Sequence, residues 1–248
     1  MKTENVNRIL ASTPRIYNKI AGDFSDTRGV SWEGFGEFTK YAKEGDKILD
    51  LGCGNGRTAQ LFESLKINYL GLDNSQELIE IAQYKYRDRS GYKFEVADAL
   101  DLHLEPNQFD LVLMIAMLHH IPIRAYRMKI LQDVFVSMKS GARLVMSNWN
   151  LWKINGRKPF RYYPYLFNYA EKSKFGAYDI SDAFVPWKAN LRQSEWQSRY
   201  VHSFTANEMR SLLKEAGFAI DYVRYASKSK GKAAIFTGDN LLAVAVKK

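Results

Sequence analysis

KILDLGCGNGR, residues Lys47 to Arg57, joins a short apolar run to a turn with glycine at every second position. The run KILDL has the length and composition of a buried strand. Gly52, Gly54 and Gly56 let the backbone after it pass very close to a ligand, because none carries a Cβ. The spacing is G-x-G-x-G, shorter than the G-x-G-x-x-G of nicotinamide dinucleotide sites. A dinucleotide also wants its pyrophosphate against a helix N-terminus, and Asp50, just before the glycines, is poor company for it. A fixed carboxylate suits a ligand with a positively charged amino group, as S-adenosylmethionine has.

Outward from this stretch the chain alternates strands and helices. NYLGLD, YKFEVAD, FDLVLMI and ARLVMSN read as further strands, and AIDYVRYA and NLLAVAVKK as a final pair. Between them TAQLFESL, the Ser75-capped SQELIEIAQYKYRDR, IRAYRMKILQDVFVSM ending at Ser140-Gly141, and TANEMRSLLKEAGF ending at Gly217 read as helices. This order gives an α/β fold with a doubly wound parallel sheet. Its closing strand pair resembles the seven-stranded sheet of the class I S-adenosylmethionine-dependent methyltransferases. Asp73 falls at the second strand's tip, where an acid can accept both ribose hydroxyls. The resemblance places the adenine at Asp98 and Ala99, and Ile115 at the cofactor's edge. Taken singly, a glycine-rich turn or a strand-end aspartate has an ordinary structural reading. Their order and placement together carry the resemblance.

Composition bounds the alternatives. The chain has 248 residues, a net charge of +9 and one cysteine, Cys53. No internal disulfide or cysteine zinc site is available, no apolar run approaches the ~20 residues that span a bilayer, and the N-terminus lacks a secretory core. A single domain in a reducing cytoplasm, away from membranes, is expected. It divides into a lid (1–40), a cofactor half (41–150), an insertion (151–204), and a last helix with its strand pair (205–248). His119 and His120 are adjacent without further ligands at suitable spacing, so no metal is expected. His119 is the candidate for lining the acceptor pocket, with a general-base role open to it.

The insertion, Leu151 to Tyr200, holds nine Lys/Arg against four Asp/Glu and thirteen aromatic residues. Basic charge interleaved with rings suits single-stranded RNA, whose phosphates need neutralising while its bases stack. A satellite core over the sheet would use the same rings. DAFVPWK (Asp182 to Lys188) shows neither helical nor strand periodicity.

DFSDTRGVSW (Asp23 to Trp32), ILDLGCGNG, AMLHHI, DAFVPWK and RYVHSF (Arg199 to Phe204), in this order, resemble the eukaryotic-type tRNA methyltransferase family that esterifies 5-carboxymethyluridine at the wobble position. The family carries histidine where Lys188 stands and tyrosine where Val201 stands. The (N/D)PP(Y/F)-type motif of amine-methylating enzymes is absent after FDLVLMI. The resemblance implies an N-terminal lid with Tyr17 over the cofactor. It implies Arg28, and after it Arg199, as holders of the acceptor carboxylate, and Trp32, Trp187, Tyr200 and His202 on the substrate side, with Trp187 and Tyr200 stacking on a flipped-out uridine. A tRNA anticodon loop, not DNA, is the expected partner, its phosphates held partly by KSKGK near Lys228 to Lys232. A small zinc-binding activator subunit works with family members, and the YKFEVAD edge is where it is sought. The alternative is a small-molecule O- or N-methyltransferase with an aromatic lid over its acceptor.

Overall fold

A computed structural model describes residues 1–27, 38–154, 163–174, 176–177, 179–187, 197–227 and 232–248. Arg28, Trp32, Lys188 and the KSKG of the final turn fall outside them. Among the described residues the strands β1 (Lys47–Leu51), β2 (Asn68–Asp73), β3 (Tyr92–Val96), β4 (Phe109–Ile115), β5 (Met138–Trp149), β8 (Ala219–Ala226), β9 (Lys232–Ala233) and β10 (Asn240–Val246) form one sheet. Its order is β3-β2-β1-β4-β5-β10-β8-β9. All seven expected strands are present, and β9 adds a two-residue edge beside β8. β1 through β5 pair in parallel, while β10 runs antiparallel to β5 and β8. The order reverses at β1, so the crevice past the C-terminal ends of β1 and β4 is the topological switch point where such sheets bind ligands.

Apolar side chains on both faces explain the near-continuous hydrophobic runs of the central strands. One face packs Leu49, Val112, Met114 and Leu144 beneath α3 (Arg124–Ser137) and α6 (Ala206–Glu215). The other packs Ile48, Leu111, Leu113 and Val145 with Ile79 and Ala82 of α2 (Gln76–Tyr86). Ser75 caps α2 by accepting from the Leu78 N–H, and Thr205 caps α6 by accepting from that of Glu208.

The long helix α1 (Thr3–Thr27) buries Val6, Ile9, Ile16, Ile20 and Ala21. Each of its isoleucines contributes about 1.5–3 kcal/mol by leaving water. An Ile20→Asp change would set an unpaired charge in that seam.

Three local expectations are corrected. Arg57–Phe62 is a 3₁₀ helix, not an α-helix. Helix α3 ends at Ser137, where the hydroxyl bonds back to the Val134 carbonyl, and β5 has begun by Met138. Gly141 therefore lies inside that strand at a φ of 82°, its N–H on the Lys247 carbonyl, beside a register shift against β4. The insertion is not irregular either. DAFVPW forms β6 (Asp182–Trp187), which pairs antiparallel with β7 (Gln197–His202) in a separate two-stranded sheet. Pro186 is tolerated there because a strand with one partner has an unpaired edge. The short helices α4 (Tyr163–Leu166) and α5 (Tyr169–Ser173) pack near β6.

Candidate active site

The cleft at the switch point is floored by the glycine turn. Gly52, Gly54 and Gly56 hold φ values of 80°, 54° and 71°, the left-handed region that side chains avoid. Gly52 is also required by space, since a Cβ there would lie 2.5 Å from the Met117 side chain. The Gly52 and Cys53 N–H groups both bond to the Leu72 carbonyl, which ties the turn to the tip of β2. The Asp73 carboxylate completes the tie, accepting from the Gly54 N–H at 2.8 Å and the Ser75 N–H at 2.9 Å. Each of its oxygens keeps a lone pair for a ligand hydroxyl. Asp98, which also lines the cleft, accepts from the Leu100 N–H two residues on.

Asp50 is fully buried below the glycines. One of its oxygens accepts from the Tyr69 hydroxyl at 2.5 Å, and the other has no hydrogen-bond partner among the described residues. Burial raises its pKa to about 7, opposed by the Tyr69 hydrogen bond. The roof of the cleft is α1, through Leu10, Thr13, Tyr17 and Phe24. The cleft holds about 1090 Å³ of space not filled by atoms, counting its open mouth, enough for a ligand of nucleoside size.

At the far end stand His120, Trp149 and Tyr17. The Tyr200 carbonyl can only accept, so the His120 Nδ1 at 2.8 Å carries the proton. His120 Nε2 is then an acceptor, and the Tyr17 hydroxyl donates to it at 2.9 Å. Burial pushes the His120 pKa down to about 4, so the ring is neutral at pH 7. Behind Tyr17 lies Arg199, which is 4% exposed. Its guanidinium carbon is 4.8 Å from the Trp149 ring centroid and 4.9 Å from that of Trp187. Its hydrogen bond is a long one to the Tyr17 hydroxyl, 3.5 Å, and its Nε has no partner. No carboxylate among the described residues pairs with it.

The Methyltransferase domain family (Methyltransf_11) matches residues 49–146. The tRNA (carboxymethyluridine(34)-5-O)-methyltransferase of Schizosaccharomyces pombe is 27% identical over 83% of this chain and 88% of its own length. Its Saccharomyces cerevisiae counterpart is 30% identical over 70% of this chain. The chain spans 55% of that yeast protein and about a fifth of the longer vertebrate relatives. The fold matches the methyltransferase solved with the Trm112 activator of Haloferax volcanii, at a TM-score of 0.65 and 16% identity, over 95% of this chain and 97% of that one.

The chain belongs to the class I methyltransferases. Over most of its length it is similar to tRNA carboxymethyluridine methyltransferases, and its cofactor is S-adenosylmethionine. The site fits that cofactor on its own chemistry: a buried carboxylate oxygen without a donor among the described residues, a turn of left-handed glycines whose Gly52 has no room for a Cβ, and acids at the tip of β2 and just past β3.

Of the residues expected in this methyltransferase's cofactor site, Tyr17, Gly52, Gly54, Asp73, Asp98, Ala99 and Ile115 line the cleft. Asp50 lies beneath its floor. Gly56 lies outside it, where Tyr86, Phe94 and Ala82 would crowd a Cβ at 3.0, 3.1 and 3.2 Å. Of the histidine pair, His120 faces the cleft and His119 does not. His119 is fully buried, with the Trp149 N–H on its Nδ1, and burial drives its pKa well below the ordinary value. Tyr200 and His202 are corrected too. Both are buried with their polar atoms engaged inside the protein, so neither offers a surface to a substrate. Sequence reading passed over Leu10 and Thr13, although their i, i+3, i+7 spacing with Tyr17 marks one helical face. It also passed over Trp149, which no pattern distinguishes from a core residue.

Proposed function

We propose that this methyltransferase esterifies the carboxylate of 5-carboxymethyluridine at the wobble position of tRNA. The observation that carries the reading is Arg199. A guanidinium held out of water without a carboxylate costs several kcal/mol, and an arriving carboxylate offsets that cost with a bidentate pair. The rings of Tyr17, Trp149 and Trp187 around it give a planar nucleobase apolar surface beside the charge.

When bound, S-adenosylmethionine supplies an electrophilic sulfonium methyl. A carboxylate is ionised at neutral pH and needs no base, which agrees with a neutral His120 whose two ring nitrogens are already engaged. The residues' work is therefore orientation, which supplies much of the rate in such displacements. Asp50 and Asp73 hold the donor, Arg199 holds the acceptor oxygen, and Tyr17 stands between them. Arg28 and Trp32, beyond the described residues, are proposed to join the acceptor side. Trp187 is proposed to contact the base.

The relatives' names support tRNA as the substrate, and the net charge of +9 suits a polyanion. A Trm112-like activator is proposed at β3, the outer strand at that end of the sheet, where Val96 is exposed.

The test is transfer of labelled methyl from S-adenosylmethionine to tRNA bearing 5-carboxymethyluridine, with and without activator. Label on the tRNA that mild alkali releases is the expected result, because the product is an ester. Label confined to small molecules would overturn the reading.

A further inference from the structure

Among the described residues Arg199 has no ion pair to set its position, so something else there must hold it in place. The alternation of β7 supplies the answer. Arg199 and Val201 face one side of the strand, and Tyr200 and His202 face the other, opposite Phe184 and Asp182 of β6. On that second side His202 lies between two carboxylates. Its Nδ1 is 2.8 Å from Asp182 Oδ1 and its Nε2 is 2.8 Å from Glu208 Oε1 on α6. Ionised carboxylates only accept, and a neutral imidazole has one N–H, so both bonds require the imidazolium.

We propose that His202, doubly protonated between Asp182 and Glu208, is a positioning residue that fastens the β6–β7 hairpin to the sheet domain and so sets the placement of Arg199. This rests on Arg199 holding the acceptor.

The surrounding groups complete a charge-balanced cluster. Arg127 of α3 donates to the Tyr200 hydroxyl at 3.2 Å and to Glu208 at 3.4 Å, and the Tyr200 hydroxyl donates to Asp182 at 2.5 Å. The Tyr200 carbonyl is held by His120. His119 is neutral, and Lys172 of α5 stands near Asp182 with its charge disfavoured by burial. Two anions and two cations thus bind α3 and α6 to the hairpin, with Tyr200, the neighbour of Arg199, among them.

The ionisations define a working window. Burial works against the imidazolium of His202, but bonds from Asp182 and Glu208 outweigh it and raise the pKa. The His202 contribution is therefore whole below its ordinary value of about 6.5 and is lost as pH rises through the raised one. Asp182 and Glu208 are held low by His202 despite burial, so theirs is lost as pH falls through their depressed values. The clasp is whole from above the depressed carboxylate values up to about 6.5 and opens on the alkaline side through His202.

The experiment uses the full chain in two arms. Nitrogen-15 NMR of the histidine rings should show both His202 nitrogens protonated at pH 7, with the Trp149 indole signal moving as His202 titrates. Glu208→Gln removes one anion and should move both transitions about one pH unit toward acid. In assays with tRNA bearing 5-carboxymethyluridine, the same variant should raise KM about tenfold above the shifted midpoint, with the Kd for S-adenosylmethionine changing less than twofold. His202→Asn keeps a donor toward Asp182 and should abolish the alkaline limb of KM. A neutral His202 at pH 7, or an alkaline limb that Glu208→Gln leaves in place, would overturn the proposal. If the wild type leaves this tRNA unmethylated while Trp149 still follows His202, the clasp stands and the substrate reading fails.

Discussion

The two ends of the cleft are electrostatic opposites. Below the glycine turn, Asp50 is a buried acid with one oxygen unsatisfied. Behind Tyr17, Arg199 is a buried base with no carboxylate beside it among the described residues. The protein resolves the two differently. Asp50 escapes much of its desolvation cost by binding a proton, since its pKa reaches about 7. An arginine has no such escape, so Arg199 is wrapped in aromatic faces that stabilise a cation without neutralising it. The donor end can therefore wait uncharged, while the acceptor end is always charged.

The most damaging way to break this contrast is Arg199→Met. Acceptor methylation should fall at least a hundredfold in kcat/KM while S-adenosylmethionine affinity holds. Thermal unfolding should shift upward by a few °C, because a buried cation without a partner is replaced by an apolar chain. An unchanged rate would show that the acceptor charge is met elsewhere.

Asp50→Asn tests the other end. Its affinity for S-adenosylmethionine should drop roughly tenfold to a hundredfold at pH 8, where the wild-type carboxylate is ionised. In the wild type the Kd should rise as pH falls through about 7, since a protonated Asp50 no longer attracts the amino group. In the variant that limb should be flat. Asp50 also influences folding, with the same sign as His202 but in a lower pH window. Its raised pKa means that stability is lost as pH climbs from about 4, its unfolded value, toward 7.

Tyr17→Phe removes the hydroxyl that links His120 to Arg199. A lost hydrogen bond is worth about 1 kcal/mol, so the acceptor KM should rise about fivefold with kcat little changed. The smallest expected effect belongs to Ala116, which lines the cleft at a φ of 58°. Ala116→Gly relieves that conformation but adds chain entropy on unfolding. The net gain should be about 0.5 kcal/mol, read as a rise in Tm of 1–2 °C.

The donor end was legible in the sequence because its parts are local. The strand, the glycine turn and Asp50 are contiguous, and Asp73 and Asp98 each end or follow a recognisable strand. The acceptor end was only half legible. Arg199 and Trp187 stood out by residue type, but β6 did not look like a strand. Asp182 breaks its apolar alternation, and the residues that make its burial tolerable, His202, Tyr200 and Arg127, come from β7 and α3. No local pattern announces a charge whose partners lie 18 to 55 residues away. The choice between His119 and His120 is similar. A three-residue 3₁₀ turn, Leu118–His120, decides which ring faces the cleft, and no periodicity in the sequence encodes that.

Cys53 gives the cleft a built-in reporter. It is the chain's single thiol, it lines the cleft at 4% exposure, and burial raises its pKa well above the ordinary value. Cys53 belongs to the core cluster that holds Tyr69 and Phe94, so an alkylating reagent can reach a reactive thiolate only when the core beneath the glycine turn opens and water enters. The rate of that single modification measures how often the floor of the cleft loosens. Its slowing by S-adenosylmethionine would titrate the cofactor without a label, an acceptor or a turnover.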